Sequence, residues 1–309
     1  MLFRRVGSAL VLLLAGCGGS ATSAECEGLT TEQCTQPDGG IPDGGMPPEA
    51  QLVVDTDWLE AHLGDPDVQL IDTRTSRSDY DASRIPGAIR LRPGDLATAV
   101  DDVPSQVAPR TEAQPVLRAA GLRNEVIAVV YGGPPEYDAS RIVWTLRYYG
   151  HLDVRYLDGG YAGWVAGGGA LDTDPPSTES TEYTIVGVDE GLRVTGTWVL
   201  LQLGDAPYDM PAIQLVDARS EGEYESGHIP SARSVNWTRN LDGGLLRARP
   251  ELEALYDGMD SAETTVSYCV SGWRGSFAWL TLTALGYEDA RLYDGSWNEW
   301  GSGGFPVEP

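Results

Sequence analysis

The segment SYCVSGWRGS, residues 267–276, places Cys269 at the end of a β-branched run and directly before Val270, Ser271, Gly272, Trp273 and Arg274. A cysteine is a nucleophile as its thiolate, and an unperturbed thiol with a pKa of about 8.5 is mostly protonated at neutral pH. A loop that curls back from Cys269 into a helix aims successive backbone N–H groups at the sulfur and adds the positive end of the helix dipole. Gly272 and Gly275 permit the tight path, because glycine tolerates positive φ and close backbone approach. Ser271 offers a further hydrogen bond, and Arg274 is the one formal positive charge of the motif. The plain alternative is a buried cysteine packing as a small hydrophobe.

The elements around the loop decide where that sulfur stands. Short apolar runs, VQLID, VIAVVY and VRYLD in one half and IQLVD, TTVSYC and ARLYD in the other, alternate with helix-length amphipathic segments. Continuous β-branched runs separated by helices predict parallel sheets buried on both faces, hence an α/β fold. Residues 276–285 read as the helix after the cysteine, and residues 141–149 as its counterpart. Cys269 then stands where the carboxyl end of a strand meets the amino end of a helix, the usual place for a site in an open α/β sheet.

The chain also repeats itself. VQLIDTRTSRSDYDASRIPGA (68–88) matches IQLVDARSEGEYESGHIPSA (213–232), pairing Asp72, Arg74 and Tyr80 with Asp217, Arg219 and Tyr224. YYGHLDVRYLDGGYAGW (148–164) matches ALGYEDARLYDGSWNEW (284–300), pairing Gly150, Asp158, Gly159 and Trp164 with Gly286, Asp294, Gly295 and Trp300. Two matched segments in the same order indicate a duplicated domain. The boundaries expected are 51–172 and 191–309, with a linker at 173–190.

Duplicated halves, an Asp-x-Arg strand end followed by an Ile-Pro turn in each, and a strand–cysteine–loop–helix in the second half alone resemble the tandem rhodanese family of thiosulfate and 3-mercaptopyruvate sulfurtransferases. CVSGWR itself is similar to the loops of periplasmic bacterial members. The resemblance implies two rhodanese-like domains, each a parallel sheet flanked by helices, with the first domain non-catalytic because Gly132 or Gly133 stands at the cysteine's position. It implies ping-pong sulfur transfer: the Cys269 thiolate takes the outer sulfur of a small anionic donor as a persulfide and yields it to a thiol or cyanide. No metal or organic cofactor is required. Val270, Ser271, Gly272, Trp273, Arg274 and Arg219 are the expected substrate contacts, an Asp217–Arg219 scaffold pair being the alternative for Arg219. Cysteine phosphatases of related design carry five residues between Cys and Arg, whereas four intervene here, and the smaller ring suits a single sulfur atom.

Other residues carry less. His228 reads as tying down its turn; His62 and His151 as surface or packing residues; Asp158, Asp294, Trp164, Trp297 and Trp300 as turn and core features. Glu223 and Gly272 stand where eukaryotic thiosulfate enzymes carry basic residues, which weakens thiosulfate as preferred donor. Mercaptopyruvate enzymes carry Gly-Val-Thr in the loop and a first-domain histidine where this chain has Arg84, so an Asp–His–Ser relay lacks its middle member although Ser271 remains. The donor stays open between the two.

The chain of 309 residues has enough length for two cores. With 21 Lys+Arg against 46 Asp+Glu, its formal charge of −25 repels nucleic acid and anionic membrane surfaces. Arg4 and Arg5, the apolar run from Val6 to Leu14 and the small pair before Cys17 form a signal pattern too short to span a membrane, which needs about 20 apolar residues. Leu14-Ala15-Gly16-Cys17 resembles the bacterial lipobox, which implies cleavage after residue 16, a lipidated Cys17 and an exported lipoprotein facing the periplasm, with Gly18 in keeping with outer-membrane sorting. Residues 17–50 read as a turn-rich tether in which Cys26 and Cys34 stand as a local disulfide or as two thiols. A non-enzymatic envelope binding module, or a protein using Cys269 only as a redox-reactive thiol, is the rival reading.

Overall fold

The computed structural model describes residues 52–151, 153–174, 179–205, 208 and 211–309. The leader, Cys17, Cys26, Cys34 and the tether lie outside the described residues, as do residues 175–178 of the linker.

The first half runs β1 (Val53–Val54), α1 (Thr56–His62), β2 (Val68–Asp72), α2 (Arg77–Ala82), β3 (Ile89–Arg90), β4 (Ala97–Val100), β5 (Val103–Val107), α3 (Arg110–Ala120), β6 (Ile127–Tyr131), α4 (Tyr137–Tyr148), β7 (Val154–Leu157) and α5 (Gly160–Ala166). The second half repeats it: β8 (Arg193–Val194), α6 (Gly196–Leu203), β9 (Gln214–Asp217), α7 (Glu221–Glu225), β10 (Arg233–Ser234), β11 (Leu241–Asp242), β12 (Leu245–Leu246), α8 (Arg249–Leu255), β13 (Thr265–Tyr268), α9 (Trp273–Leu285), β14 (Ala290–Tyr293) and α10 (Ser296–Trp300). Each half forms a five-stranded sheet, in the orders β1-β7-β6-β2-β3 and β8-β14-β13-β9-β10, which agree strand for strand. All pairings within them are parallel. This is the α/β architecture of two parallel sheets flanked by helices that the alternating runs imply.

The central strands β6 and β13 hold their apolar runs under helices on both faces, with β13 buried along its whole length. Helix starts follow local chemistry. Asp55 accepts from the Trp58 amide at 2.7 Å, Thr195 from Trp198, and Ser220 with Glu223 forms a capping box ahead of α7. Helix α9 begins at Trp273, three residues before the start read from the sequence, because Gly272 at φ +80° turns the chain into the helix from a left-handed conformation. Helix α4 likewise begins at Tyr137 rather than Arg141.

Helices α4 and α9 are buried along nearly their whole length and pack against each other as the seam between the halves. Ser140 and Ser276, equivalent positions 136 residues apart, meet across that seam with their hydroxyl oxygens 3.0 Å apart. Two antiparallel hairpins, β4–β5 and β11–β12, reach over it. Each is gripped by the other half: Asp294 accepts from the Val107 amide at 2.8 Å, and Asp158 from the Leu246 amide at 2.9 Å. The repeated Asp-Gly pairs are therefore more than turns; their carboxylates staple the halves together. The linker past Glu179 packs on the first half, with Tyr183 and Ile185 buried and the Thr181 amide bonded to the Arg118 carbonyl. Among the described residues no helix is long and apolar enough to cross a membrane.

Candidate active site

Cys269 follows β13, the middle strand of its sheet, and α10 anchors the chain at that point. The Cys269 amide donates to Ser296 Oγ at 3.2 Å, while the Trp297 and Asn298 amides bond the carbonyls of Cys269 and Val270 at 3.0 and 2.9 Å. With its carbonyls turned towards α10, the loop leaves its amides for other use. Among the described residues, the N–H groups of Val270 to Gly275 donate to no protein acceptor, and they lead into the 13-residue helix α9. An array of free amides at a helix amino end is an anion cradle.

Both loop glycines are needed where they stand. A Cβ on Gly272 would lie 2.8 Å from Arg141 Nη1 and 2.9 Å from the Asp294 carbonyl, besides the cost of its positive φ. One on Gly275 would meet Leu292 Cδ1 at 2.9 Å and the Tyr268 backbone at 3.2 Å, so α9 can lie directly on β13 and β14 only without it. Arg141, from the first half, forms a buried ion pair with Asp294 at 2.7 Å. The non-catalytic half thus supports the back of the loop. Sequence reasoning missed this role for Arg141, because nothing local links it to Asp294.

Arg274 is held chiefly by Glu223, with a lesser electrostatic influence from Cys269, and is not a free cation. It is held by Glu223 through two bonds of 2.8 Å, one to each carboxylate oxygen. Hydrogen bonding from Arg274 is the largest influence on Glu223 and, against the opposing effect of burial, brings its carboxyl down to about 2; the same bond raises Arg274. Arg274 is the motif's one formal positive charge, and Glu223 from outside the motif balances it, so the mouth of the site holds a neutralised pair. Arg219, expected as a substrate contact with an Asp217 scaffold pair as the alternative, forms the pair with Asp217. Its guanidinium bonds both Asp217 oxygens at 2.6–3.0 Å and the Gly227 carbonyl at 2.7 Å, and lies 4.2 Å from the Trp297 ring centre. With Nε and Nη2 engaged and 2 % exposure, it braces the strand end.

Cys269 has no exposed surface. In front of its loop lies a cavity of about 510 Å³ walled by Tyr137, Trp237, Val270, Ser271, Trp273 and Arg274. The ring centres of Tyr137 and Trp237 are 5.0 Å apart, edge to face. A second cavity of about 440 Å³, on the other side of Val270, is bounded by Arg219, Glu223 and Trp297. Ser271 and Trp273 reach the space before the cysteine; Gly272 stands behind the loop against Arg141. Tyr137 and Trp237 are wall residues the sequence reading did not identify, since they come from the first half and from a 3-10 turn. His228 stacks on Tyr224 at 3.7 Å and holds its turn, away from the sulfur. In the first half Gly132 follows Tyr131 as Cys269 follows Tyr268, and that loop has no thiol.

Two matching sheets, one of which ends its middle strand in a free cysteine and an amide loop, define a tandem α/β protein with, among the described residues, a single thiol centre. The rhodanese-like domain family matches residues 55–167 and 197–302, and the chain belongs to that family. It is 34% identical over 266 residues to the Mycobacterium tuberculosis (strain CDC 1551 / Oshkosh) protein named "Putative thiosulfate sulfurtransferase SseA", covering 82% of this chain and 88% of that one. It is 32% identical over 273 residues to "Sulfur carrier protein TtuD" of Thermus thermophilus, covering 82% of this chain and 94% of the relative. The crystal structure of the 3-mercaptopyruvate sulfotransferase SseA from Escherichia coli superposes with a TM-score of 0.71 at 27% identity, covering 80% of this chain and 99% of that one.

Proposed function

We propose that this rhodanese-family sulfurtransferase carries sulfur on Cys269. The observation that supports the reading most is the cysteine's position at the end of β13, before a loop whose amides from Val270 to Gly275 are unclaimed by acceptors among the described residues. In the first step the Cys269 thiolate attacks the outer sulfur of thiosulfate or 3-mercaptopyruvate. A bond from that sulfur forms to Sγ, its bond to the donor breaks, and sulfite, or the pyruvate enolate that takes up a proton, leaves with the electron pair. In the second step a thiol or cyanide attacks the outer sulfur of the persulfide, and Cys269 leaves as thiolate. Arg274, the loop amides and the α9 dipole stabilise sulfur anions in both steps, so one hard transfer becomes two easier ones. Because Cys269 is fully buried, a donor enters through the cavity bounded by Tyr137, Trp237 and Trp273 and moves part of that wall.

Weighing the intact protein after incubation with thiosulfate, and separately with 3-mercaptopyruvate, tests this. A gain of one sulfur atom that disappears in Cys269→Ser supports the transfer. No adduct with either donor favours the second reading, a binding module, for which the sealed sulfur is the observation that speaks.

We further propose that Cys17 is lipidated and the protein is held in the bacterial envelope facing the periplasm, on the support of the Arg4–Arg5 start, the short apolar run and the Leu14–Cys17 tetrad. Fractionation of cells carrying Cys17→Ala tests it: release from the membrane fraction is expected, and unchanged membrane retention overturns the anchor.

A further inference from the structure

The cavity in front of the cysteine loop is larger and less polar than sulfur transfer among small anions needs. Its volume of about 510 Å³ lies within the range of about 300–1,000 Å³ that holds a drug-sized organic molecule. Pro135, Tyr137, Trp237, Val270 and Trp273 make up most of its wall. Arg274 is the one ionic side chain there among the described residues, and Glu223 holds it at 2.8 Å through each carboxylate oxygen. Selection in this space therefore falls to apolar and aromatic surface rather than to charge.

The wall is held in place. Trp237 opens the 3-10 turn Trp237–Asn240, in which Asn236 accepts from the Thr238 amide at 3.2 Å and the buried Asn240 side chain donates to the Trp237 carbonyl at 3.0 Å. Its indole meets Tyr137 edge to face at 5.0 Å and the buried Phe277 at 5.7 Å. A ring fixed by two others offers its remaining surface to a ligand with little further ordering. Tyr137 stands near the sulfur: burial raises its hydroxyl, and Asp138, Arg274 and Cys269 act on it as well. Trp273, in the same wall, has a buried indole N–H with no hydrogen-bond partner among the described residues, an unusual state that a bound ligand relieves.

We infer that the sulfur acceptor is an organic thiol with an aromatic ring beside its sulfur, and that Trp237 selects it by packing against that ring. The inference rests on sulfur carriage by Cys269 and names the substrate of its second step. The acceptor thiolate attacks the outer sulfur of the persulfide, the bond to Sγ breaks, Cys269 leaves with the electron pair as thiolate, and the acceptor departs as its own persulfide.

The test loads Cys269 of the full chain from thiosulfate, 3-mercaptopyruvate or inorganic polysulfide, removes the donor, and follows discharge by intact mass against time. Benzyl mercaptan and 2-mercaptoethanol, thiols of similar acidity, are the two acceptors. At equal concentration benzyl mercaptan is expected to discharge the loaded protein about tenfold faster, the gain of one aromatic contact. Towards N-acetylcysteine persulfide free in solution the two thiols are expected to differ by less than about twofold, which accounts for intrinsic reactivity. The preference is expected to shrink to about twofold in Trp237→Leu and to recover to about fivefold or more in Trp237→Phe. Each preference is a ratio within one protein, so a general loss of activity or stability does not enter it. Equal discharge by the two thiols, or a preference as large in Trp237→Leu as in the unaltered protein, overturns the inference and leaves sulfur carriage standing. A protein that takes up sulfur from none of the three donors overturns sulfur carriage, and the inference with it.

Discussion

Arg274 and Glu223 form a two-bond ion pair at the mouth of the cysteine loop, with both distances 2.8 Å and side-chain exposures of 21% and 35%. Glu223 also closes the capping box of α7 through Ser220, so one carboxylate holds a helix end and an active-site arginine together. Releasing that arginine should change what the site accepts. In Glu223→Gln the guanidinium regains its charge towards the cavity, and the KM for thiosulfate is expected to fall about fivefold, the size of one modest charge interaction in partial solvent. Steady-state kinetics on thiosulfate measure it; an unchanged or higher KM shows that Arg274 does not face the donor.

The same pair gives a pH dependence of stability. The Glu223 carboxyl lies at about 2 in the folded protein against an ordinary 4.5, so the folded value is depressed. Its contribution is complete above about 4.5 and is lost as pH falls towards 2. Since the pair is partly exposed, about 1 kcal/mol is expected rather than the full equivalent of the shift. Urea unfolding should therefore separate the unaltered protein from Glu223→Gln at pH 7, and the difference should shrink between pH 4.5 and pH 2.

Arg141 and Asp294 make a pair of the opposite kind, 1% and 0% exposed. Removing one partner of a buried pair leaves a charge without compensation, typically at a cost of about 3 kcal/mol or more. Arg141→Met is expected to lose roughly that amount, moderated because Asp294 keeps Arg193 and the Val107 amide. Chemical denaturation measures the loss, and a change below about 0.5 kcal/mol shows that Asp294 is neutralised without Arg141.

What could be read in advance follows from which interactions are local. Of the central strands, β6 is an unbroken apolar run and β2, β9 and β13 are short, largely buried segments with few polar interruptions, and a parallel sheet covered on both faces leaves that trace. Edge strands such as β1, β3 and β8 hold two residues each and have no period to detect. The hairpins did leave a signal: Asp101-Asp102 and Gly243-Gly244 adopt positive φ in tight turns, and paired turn formers between apolar residues are the mark of a two-residue hairpin. At the site, Cys269, Ser271 and the glycines sit in one short segment, so their spacing could be interpreted. Arg141 behind the loop, Tyr137 and Trp237 in front of it, and Glu223 across from Arg274 meet only through tertiary packing. The pairing of Arg274 with Glu223 is the clearest case, because a partner far away in the chain decides how much of an arginine's charge is left to the site.

The hydroxyls of Ser140 and Ser276 provide a test of the seam. Each also has a backbone acceptor, the Tyr137 carbonyl at 3.0 Å and the Trp273 carbonyl at 2.7 Å. Replacing one serine by alanine leaves the other hydroxyl still bonded at its own helix end, so each single change should cost about 1 kcal/mol or less. The two side chains touch, so Ser140→Ala with Ser276→Ala should cost less than the sum of the single changes by about 0.5 kcal/mol. Strict additivity in denaturant unfolding means the contact between the halves at this point contributes nothing.

Gly272→Ala separates the loop's geometry from the stability of the fold. An alanine at φ +80° costs about 1 kcal/mol or more in backbone strain. Its Cβ would also press on Arg141 Nη1 at 2.8 Å and on the Asp294 carbonyl at 2.9 Å, one movable only by breaking a buried ion pair and the other fixed in the backbone. The loop, with unpaired amides, is the softer side and should yield. A shift of a few tenths of an ångström misaims the amides from Val270 to Gly275, and electrostatic stabilisation of a sulfur anion depends steeply on that aim. Sulfur loading of Cys269, followed by intact mass against time, is expected to slow by about 100-fold, more than a loss of about 2 kcal/mol in a still-folded protein explains. Gly275→Ala, whose Cβ meets Leu292 and the Tyr268 backbone, should by contrast lower stability at least as much as it lowers the loading rate. If Gly272→Ala loads sulfur at the unaltered rate while its stability falls, the loop amides do not hold the reacting sulfur.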